Sequence, residues 1–251
     1  MEMIRITSRQ NPTVKRVVSL SSQKGRAEYD SFFTEGIKLY REARDAGFIP
    51  AEAFVSDSFT GDISEIKAEA LYSVTDEVYE KISEQSSPEG VLCVFRKFTL
   101  PPKNKNFTLL LENMQDPGNL GTVLRSAAAF GCSEVVGVSS CDLFSPKTVR
   151  ASMGAVFKVP YRHFTDLDGA LEYINCDKLY AAALTDEAVS LNDVSLEGAC
   201  VMIGNEGHGL SDEALSKSDT QIIIPIENIE SLNASVAASV ILYEASRRRS
   251  L

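Results

Sequence analysis

The sequence predicts two α/β domains in tandem, the second built on a parallel sheet with helices on both faces. Three observations carry this reading. The apolar runs Thr108–Leu111, Val135–Val138, Leu179–Ala183, Cys200–Ile203 and Ile222–Ile224 are near-continuous rather than alternating, the pattern of strands buried on both faces. Helical spacings separate them. Ahead of them, residues 97–106 carry Pro101-Pro102 with Lys97, Lys103 and Lys105, and adjacent prolines stiffen a segment and exclude helix. The expected division is therefore a first domain over 1–96, a linker over 97–106 and a second domain over 107–251.

In the first domain, Asn11–Ser21 spaces Val14, Val17, Val18 and Leu20 as a short helix, with Pro12 in its first turn. Phe32–Gly36 reads as a strand stopped by glycine, and Ile37–Ala46 as a helix with Gly47 just past its end. Ala51–Ser56 and Leu71–Thr75 are strands, Asp76 caps a short helix bearing Val78, Tyr79 and Ile82, and Val91–Phe95 is a strand. In the second domain the helices are Leu120–Phe130, Pro146–Met153 capped by Ser145, Leu167–Ile174, Asp212–Lys217 and Ala234–Arg249. The last places Val236, Val240 and Tyr243 on one face.

Composition narrows the function classes. The 251 residues carry a net charge of −10 with a pI near 4.8, which argues against wholesale nucleic-acid binding, since phosphate contacts need Lys and Arg. The charge is unevenly placed, however. Residues 1–26 hold Arg5, Arg9, Lys15, Arg16, Lys24 and Arg26 against Glu2 alone, which suits either a polyanionic partner or a plain solvated face. No apolar run approaches the roughly 18 residues of a membrane span, and no secretory signal is recognisable. Cys93, Cys132, Cys141, Cys176 and Cys200 are scattered and never in CxxC spacing. The expectation is reduced, mostly buried thiols in a cytoplasmic protein. With only His163 and His208 as histidines, no metal site is expected, and His208 is given no role.

Two turns stand out near the carboxyl terminus, Ile203-Gly-Asn-Glu-Gly-His-Gly209 and Ser231-Leu-Asn-Ala-Ser-Val236, each after an apolar run and before a helix. Turns at the carboxyl ends of strands in an α/β sheet form ligand sites walled by main chain. A third loop, Glu112 to Arg125, is neither GxGxxG nor GxxxxGK[ST], so a dinucleotide site or P-loop is disfavoured. Arg125 is its notable residue, the one charge between Asp116 and Glu134.

Asn119-Leu-Gly-Thr-Val-Leu-Arg125, Ile203-Gly-Asn-Glu-Gly-His-Gly209 and Ile224-Pro-Ile followed by Ser231-Leu-Asn-Ala-Ser-Val-Ala237 resemble, in order, the three motifs of the SpoU (TrmH-type) RNA ribose methyltransferases of the SPOUT superfamily. Ile6–Pro12, Phe32–Gly36 and Gly90–Leu92 more loosely resemble that family's ribosomal-protein-like RNA-binding domain. The resemblance implies a SPOUT-like domain with a carboxyl-terminal trefoil knot, S-adenosylmethionine as methyl donor, and a homodimer through the second domain. It implies cofactor contacts at Gly204, Ile224 and Leu232, and active-site roles for Asn119, Arg125, Glu206, Ser231 and Asn233. It further implies RNA held by Arg5, Arg9, Lys15 and Arg16, most plainly ribosomal RNA, with transfer RNA the alternative substrate. Taken alone, Ile224 and Leu232 also read as core, and Glu206 as a solvated turn residue. Guanidinium stays protonated in proteins, so Arg125 suits a phosphate or a developing alkoxide better than the role of base. A phosphate oxygen, Glu206 or water is then left to take the hydroxyl proton. A non-catalytic RNA-binding module that keeps the fold is the rival reading.

Overall fold

Short apolar segments of the first half pair into a mixed sheet. The computed structural model describes residues 3–103 and 107–249; 104–106, the end of the expected linker, lie outside the described residues. The elements are β1 (Ile4–Ile6), α1 (Pro12–Ser19), α2 (Gln23–Glu28), β2 (Ser31–Glu35), α3 (Ile37–Asp45), β3 (Glu52–Ser56), β4 (Ala70–Val74), α4 (Asp76–Ile82) and β5 (Val91–Arg96). The sheet order is β1-β4-β3-β5-β2, with β5 antiparallel to both neighbours. Asn11 caps α1 through its side chain and Pro12 opens it, which leaves Val14, Val17 and Leu20 fully buried against Phe33, Phe54 and Val94. Thr75 caps α4 through its hydroxyl and Asp76 is the first helical residue. This corrects the expected cap, because the Asp76 carboxylate instead accepts from the Ser58 N–H.

The opposite face of this sheet carries phenylalanines. Phe32 is fully buried with ring centroids 5.7 Å from Phe95, 4.5 Å from Phe144 and 6.0 Å from both Phe98 and Phe157. Two of these rings come from far along the sequence. The chain divides into two compact units, one running to Phe98 and joined by Phe144–Phe157, the other formed by Thr99–Leu143 and the chain from Lys158 on. The 144–157 segment, which the sequence reading placed in the second domain, thus packs in the first unit. Its buried Phe144, Val149 and Phe157 find apolar neighbours there, and Gly154 (φ +87°) lies so near Glu42 that a Cβ would overlap it.

The second unit follows as β6 (Phe107–Glu112), α5 (Pro117–Ala129) and β7 (Glu134–Val138). After α6 (Pro146–Ala151), part of the segment just described, come β8 (Tyr161–Phe164), α7 (Leu167–Tyr173), β9 (Lys178–Ala182) and β10 (Val189–Ser190). The chain ends in β11 (Ala199–Ile203), α8 (Asp212–Lys217), β12 (Thr220–Ile223) and α9 (Ala234–Arg249). All seven strands are parallel, in the order β10-β12-β9-β11-β6-β7-β8. Leu110, Val136 and Met202 meet α7 and α8 on one face; Leu109, Leu111, Val135 and Val201 alternate to the other and are fully buried too. The parallel sheet covered on both faces is as the apolar runs predict. From β6 the chain steps outward to β7 and β8, then returns beyond β11 to β9. The carboxyl ends of β6 and β11 therefore flank a topological switch point, where ligands of open α/β sheets bind.

Candidate active site

Three loops leave the carboxyl ends of β6, β11 and β12. The first turns at Asn113, held at φ +54°, and enters α5 at Pro117, three residues before the expected start. Asp116 caps the helix by accepting from the Asn119 N–H at 3.0 Å. With its backbone satisfied, Asn119 is free to use its side-chain amide elsewhere.

The second loop folds back on itself. Asn205 and Gly209 exchange backbone hydrogen bonds of 3.0 and 2.9 Å, and the Asn205 side chain accepts from Gly207 N–H at 2.7 Å. The resulting tight turn carries Glu206 at its exposed tip. Gly204 is required here for a local reason: a Cβ would overlap the backbone of Gly209 and Leu210. Both ends of the turn are fastened to β6. Asn205 Nδ2 donates to the Asn113 carbonyl at 3.0 Å, while buried Glu112 accepts from the N–H and hydroxyl of Ser211, the cap of α8.

The third loop, 224–233, ends at Asn233, which caps α9. Its side-chain oxygen accepts from Ser235 N–H at 2.9 Å, and its carbonyl accepts from the N–H groups of Val236 and Ala237. Before that cap the loop offers open main chain. Among the described residues, the N–H groups of Ile224, Ile226 and Leu232 donate to no protein acceptor, and the side chains of Ile224 and Leu232 are half-buried.

The loops converge through side chains. Asn119 Nδ2 donates to Glu206 Oε1, and Asn119 Oδ1 faces Asn233 Nδ2 at 3.5 Å and Ser235 Oγ at 3.2 Å. Asn119, Glu206 and Asn233, far apart in sequence, thus form one network. Arg125 and Ser231 do not join it. Six residues beyond Asn119, Arg125 is displaced by about 9 Å along α5 and about a third of a turn around it. It is exposed and has no partner among the described residues, and the same holds for Ser231. Nearby Cys141 is no nucleophile: burial, reinforced by the carboxylates of Asp116, Asp142 and Glu206, pushes its thiol up to about 11. His208, exposed, lines a cleft beside the turn with Asn113, Gln115 and Ser211.

Residues 106–243 match the SpoU rRNA Methylase family, and residues 11–93 match the MRM3-like substrate binding domain. The chain belongs to the SpoU methylase family. It is 33% identical to an uncharacterized tRNA/rRNA methyltransferase of Synechocystis sp., over 97% of this chain and 94% of that protein. It is 31% identical to the 23S rRNA (guanosine(2553)-2'-O)-methyltransferase RlmP of Bacillus subtilis, over 96% of this chain and 98% of that protein. A crystal structure of an AdoMet-bound rRNA methyltransferase from Sinorhizobium meliloti shares its fold, with a TM-score of 0.86 at 28% identity and 98% of each chain covered.

The first unit holds the four basic residues expected to meet RNA in that family setting. They divide into two kinds. Arg5 is bound by both oxygens of Asp57 at 2.5 and 2.6 Å, which raises its pKa, and Arg16 pairs with Glu52. Arg9 and Lys15 are exposed without a partner among the described residues. Arg26, also in the basic stretch, is buried and donates to the carbonyls of Leu20 at 2.8 Å and Ser21 at 2.7 Å, closing the end of α1. Its role is structural.

Proposed function

We propose that this protein transfers a methyl group from S-adenosylmethionine to a ribose 2'-hydroxyl of ribosomal RNA. The observation that carries the reading is the meeting of the three family motifs around unsatisfied main chain at the switch point of the sheet. The 224–232 loop fits the cofactor. Its free N–H groups and the half-buried side chains of Ile224 and Leu232 suit an amphipathic nucleoside better than water alone. When bound, S-adenosylmethionine supplies an electrophilic methyl carbon on a sulfonium. Gly204 borders that space, its conformation already dictated by its own loop.

The protein's residues do the rest by positioning. Arg125, a fixed cation with no internal partner, holds a phosphate of the substrate. Glu206 is steered by the Asn119 amide and takes the proton as the ribose oxygen bonds to the methyl carbon and the sulfur–carbon bond breaks. Ser231 and Asn233 border the cofactor and Asn119 respectively. Arg9 and Lys15 attract RNA backbone from the first unit, with Arg5 and Arg16 able to exchange carboxylate for phosphate.

A homodimer belongs to the same reading. On α9, Val236, Val240 and Tyr243 are 47%, 36% and 53% exposed, an apolar stripe with the spacing expected of an interface. The small residues Ala234, Ser235 and Ala238 are buried within the chain instead, beside α5, where Ser126 and Ser239 hydroxyls meet at 2.7 Å. So does a knot: β12 lies beyond β9, yet Asn233 returns to Asn119 in the first turn of α5, which follows β6, so the 224–233 loop has to pass back over the carboxyl ends of β9 and β11. Cys93, Cys132 and Cys200 are buried and no disulfide joins any of the five cysteines, which suits the cytoplasm.

The experiment is to map ribose methylation in ribosomal and transfer RNA from cells with and without this protein, and to measure S-adenosylmethionine binding by calorimetry. Loss of one ribosomal 2'-O-methyl group together with binding is expected. A lost transfer-RNA methyl would redirect the substrate, and absent binding would favour a non-catalytic module.

A further inference from the structure

Ser235 lies in none of the site positions expected from the sequence, yet it sits at the centre of the network. It is 4% exposed, in the first turn of α9. Its hydroxyl lies 2.7 Å from Asn233 Oδ1 and 3.2 Å from Asn119 Oδ1. Asn233 Oδ1 also accepts from the Ser235 N–H at 2.9 Å, whereas Asn119 Oδ1 has, among the described residues, only the Asn233 amide besides this hydroxyl, at 3.5 Å.

An asparagine amide can present either edge, and the surrounding donors and acceptors decide which. Glu206 offers Asn119 only acceptors while ionised, so the Nδ2 edge belongs there. The opposite edge then takes donors, and half-buried Asn119 meets them within the protein. The Ser235 hydroxyl, its one proton shared between Asn233 Oδ1 at 2.7 Å and Asn119 Oδ1 at 3.2 Å, and the Asn233 amide are those donors. A second hydroxyl holds Ser235 itself: Ser239 Oγ donates to the Ser235 carbonyl at 2.7 Å, so Ser126 Oγ donates in turn to Ser239 at 2.7 Å.

We infer that Ser235 is a positioning residue. Its hydroxyl fixes the amide edge of Asn119, and through Asn119 it fixes the direction of the Glu206 carboxylate. The catalytic consequence rests on the methyl transfer proposed above; the orientation of the amide does not. Without the hydroxyl, Asn119 loses one of its two donors and Asn233, the other donor, loses a partner of its own, so the Asn119 amide turns more freely and Glu206 swings with the exposed turn.

The test compares Ser235→Ala with Ser235→Thr, which keeps the hydroxyl, and Ser235→Cys, which keeps the size with a weaker donor. In Ser235→Ala, kcat should fall about tenfold, because the Glu206 carboxylate is held in its working direction a smaller part of the time. Calorimetric affinity for S-adenosylmethionine should stay within about twofold. The side-chain amide resonances of Asn119 in 15N-resolved spectra should move and exchange faster with water. Threonine should restore both readings and cysteine should fall between. Unmoved Asn119 resonances in the alanine variant, whatever its rate, would overturn the inference. A moved resonance with wild-type kcat would overturn its catalytic part. Should alanine not fold, the cysteine and threonine pair decides by the same readings. The spectra need no turnover, so an inactive wild-type protein would refute the proposed reaction and leave the amide measurement standing.

Discussion

The first unit and the candidate site of the second dispose of their charged side chains differently. In the first, arginines are matched to carboxylates of the same unit: Arg5 with Asp57, Arg16 with Glu52, Arg41 with Glu65 and Arg96 with Glu69. In the second, Arg162, Lys217 and Arg247 are matched likewise to Glu134, Asp168 and Glu244. At the candidate site, however, Arg125 faces outward with no partner among the described residues, and the convergent groups are neutral amides and hydroxyls around one carboxylate. Exposed ion pairs contribute about 1 kcal/mol or less each, so the first unit is held by its aromatic and aliphatic core, and its pairs can be traded for phosphate cheaply. The candidate site keeps Arg125 uncommitted, which suits a group whose partner arrives with the substrate.

Breaking the contrast at its sharpest point gives the largest effect. Arg125→Ala should reduce methylation by about a hundredfold, as misplacing the substrate by about 1 Å does, while calorimetry shows S-adenosylmethionine affinity nearly unchanged. Turnover near wild type would remove Arg125 from the site. In the first unit the corresponding blow is to the core. Phe32→Ala removes a fully buried ring with four aromatic neighbours and should cost about 3–5 kcal/mol in chemical denaturation.

Smaller effects separate committed from uncommitted charge within the first unit. Arg9→Ala or Lys15→Ala should lower the slope of log affinity for RNA against log salt by about 0.7–0.9, one phosphate contact each. Arg5→Ala and Arg16→Ala should lower it less, since each also frees Asp57 or Glu52. Equal slopes for all four variants would erase the distinction.

The smallest concerns Glu35, 9% exposed at the end of β2. Burial pushes its carboxyl above the usual range, against hydrogen bonds from the Ser83 hydroxyl and the Glu84 N–H. The folded state thus holds a proton that the unfolded chain gives up sooner. Stability from that proton is complete below the ordinary glutamate range and is lost as pH rises through the raised folded value. Glu35→Gln should therefore melt higher than wild type at pH 7, by about 2–4 °C if about 1 kcal/mol is recovered. At pH 4 the two should nearly coincide; the same gap at both pH values would rule out titration as the cause.

The second unit's central strands were legible because burial on both faces leaves near-continuous apolar runs. The elements that escaped are short and peripheral. Ile4–Ile6 is three residues at a sheet edge with Ile4 and Arg5 exposed, Tyr161–Phe164 is an edge strand with Arg162 and His163 in it, and Val189–Ser190 is two residues long. The polar helix Gln23–Glu28 buries only Gly25 and Arg26, so it has no apolar stripe to read. At the site, Asn119, Glu206 and Asn233 stand out in the sequence through their motifs, and their side chains meet in one network. Ser235 was not, although Asn233-Ala-Ser235 carries the visible sign of a helix cap whose second residue turns inward. The outward stripe of α9 was legible as a face but not in its direction, because periodicity does not tell which neighbour a face will meet.

The excursion of Phe144–Phe157 bears on how the protein is made. The ring cluster of the first unit takes Phe32, Phe48, Phe95 and Phe98 from early in the chain, and Phe144 and Phe157 from much later. As the ribosome extends the polypeptide, the amino-terminal sheet can pair once Arg96 has emerged, but its aromatic face stays uncovered until Phe157 follows. By then β6, α5 and β7 are also outside the tunnel, so the nascent chain completes its first core only after it has begun its second.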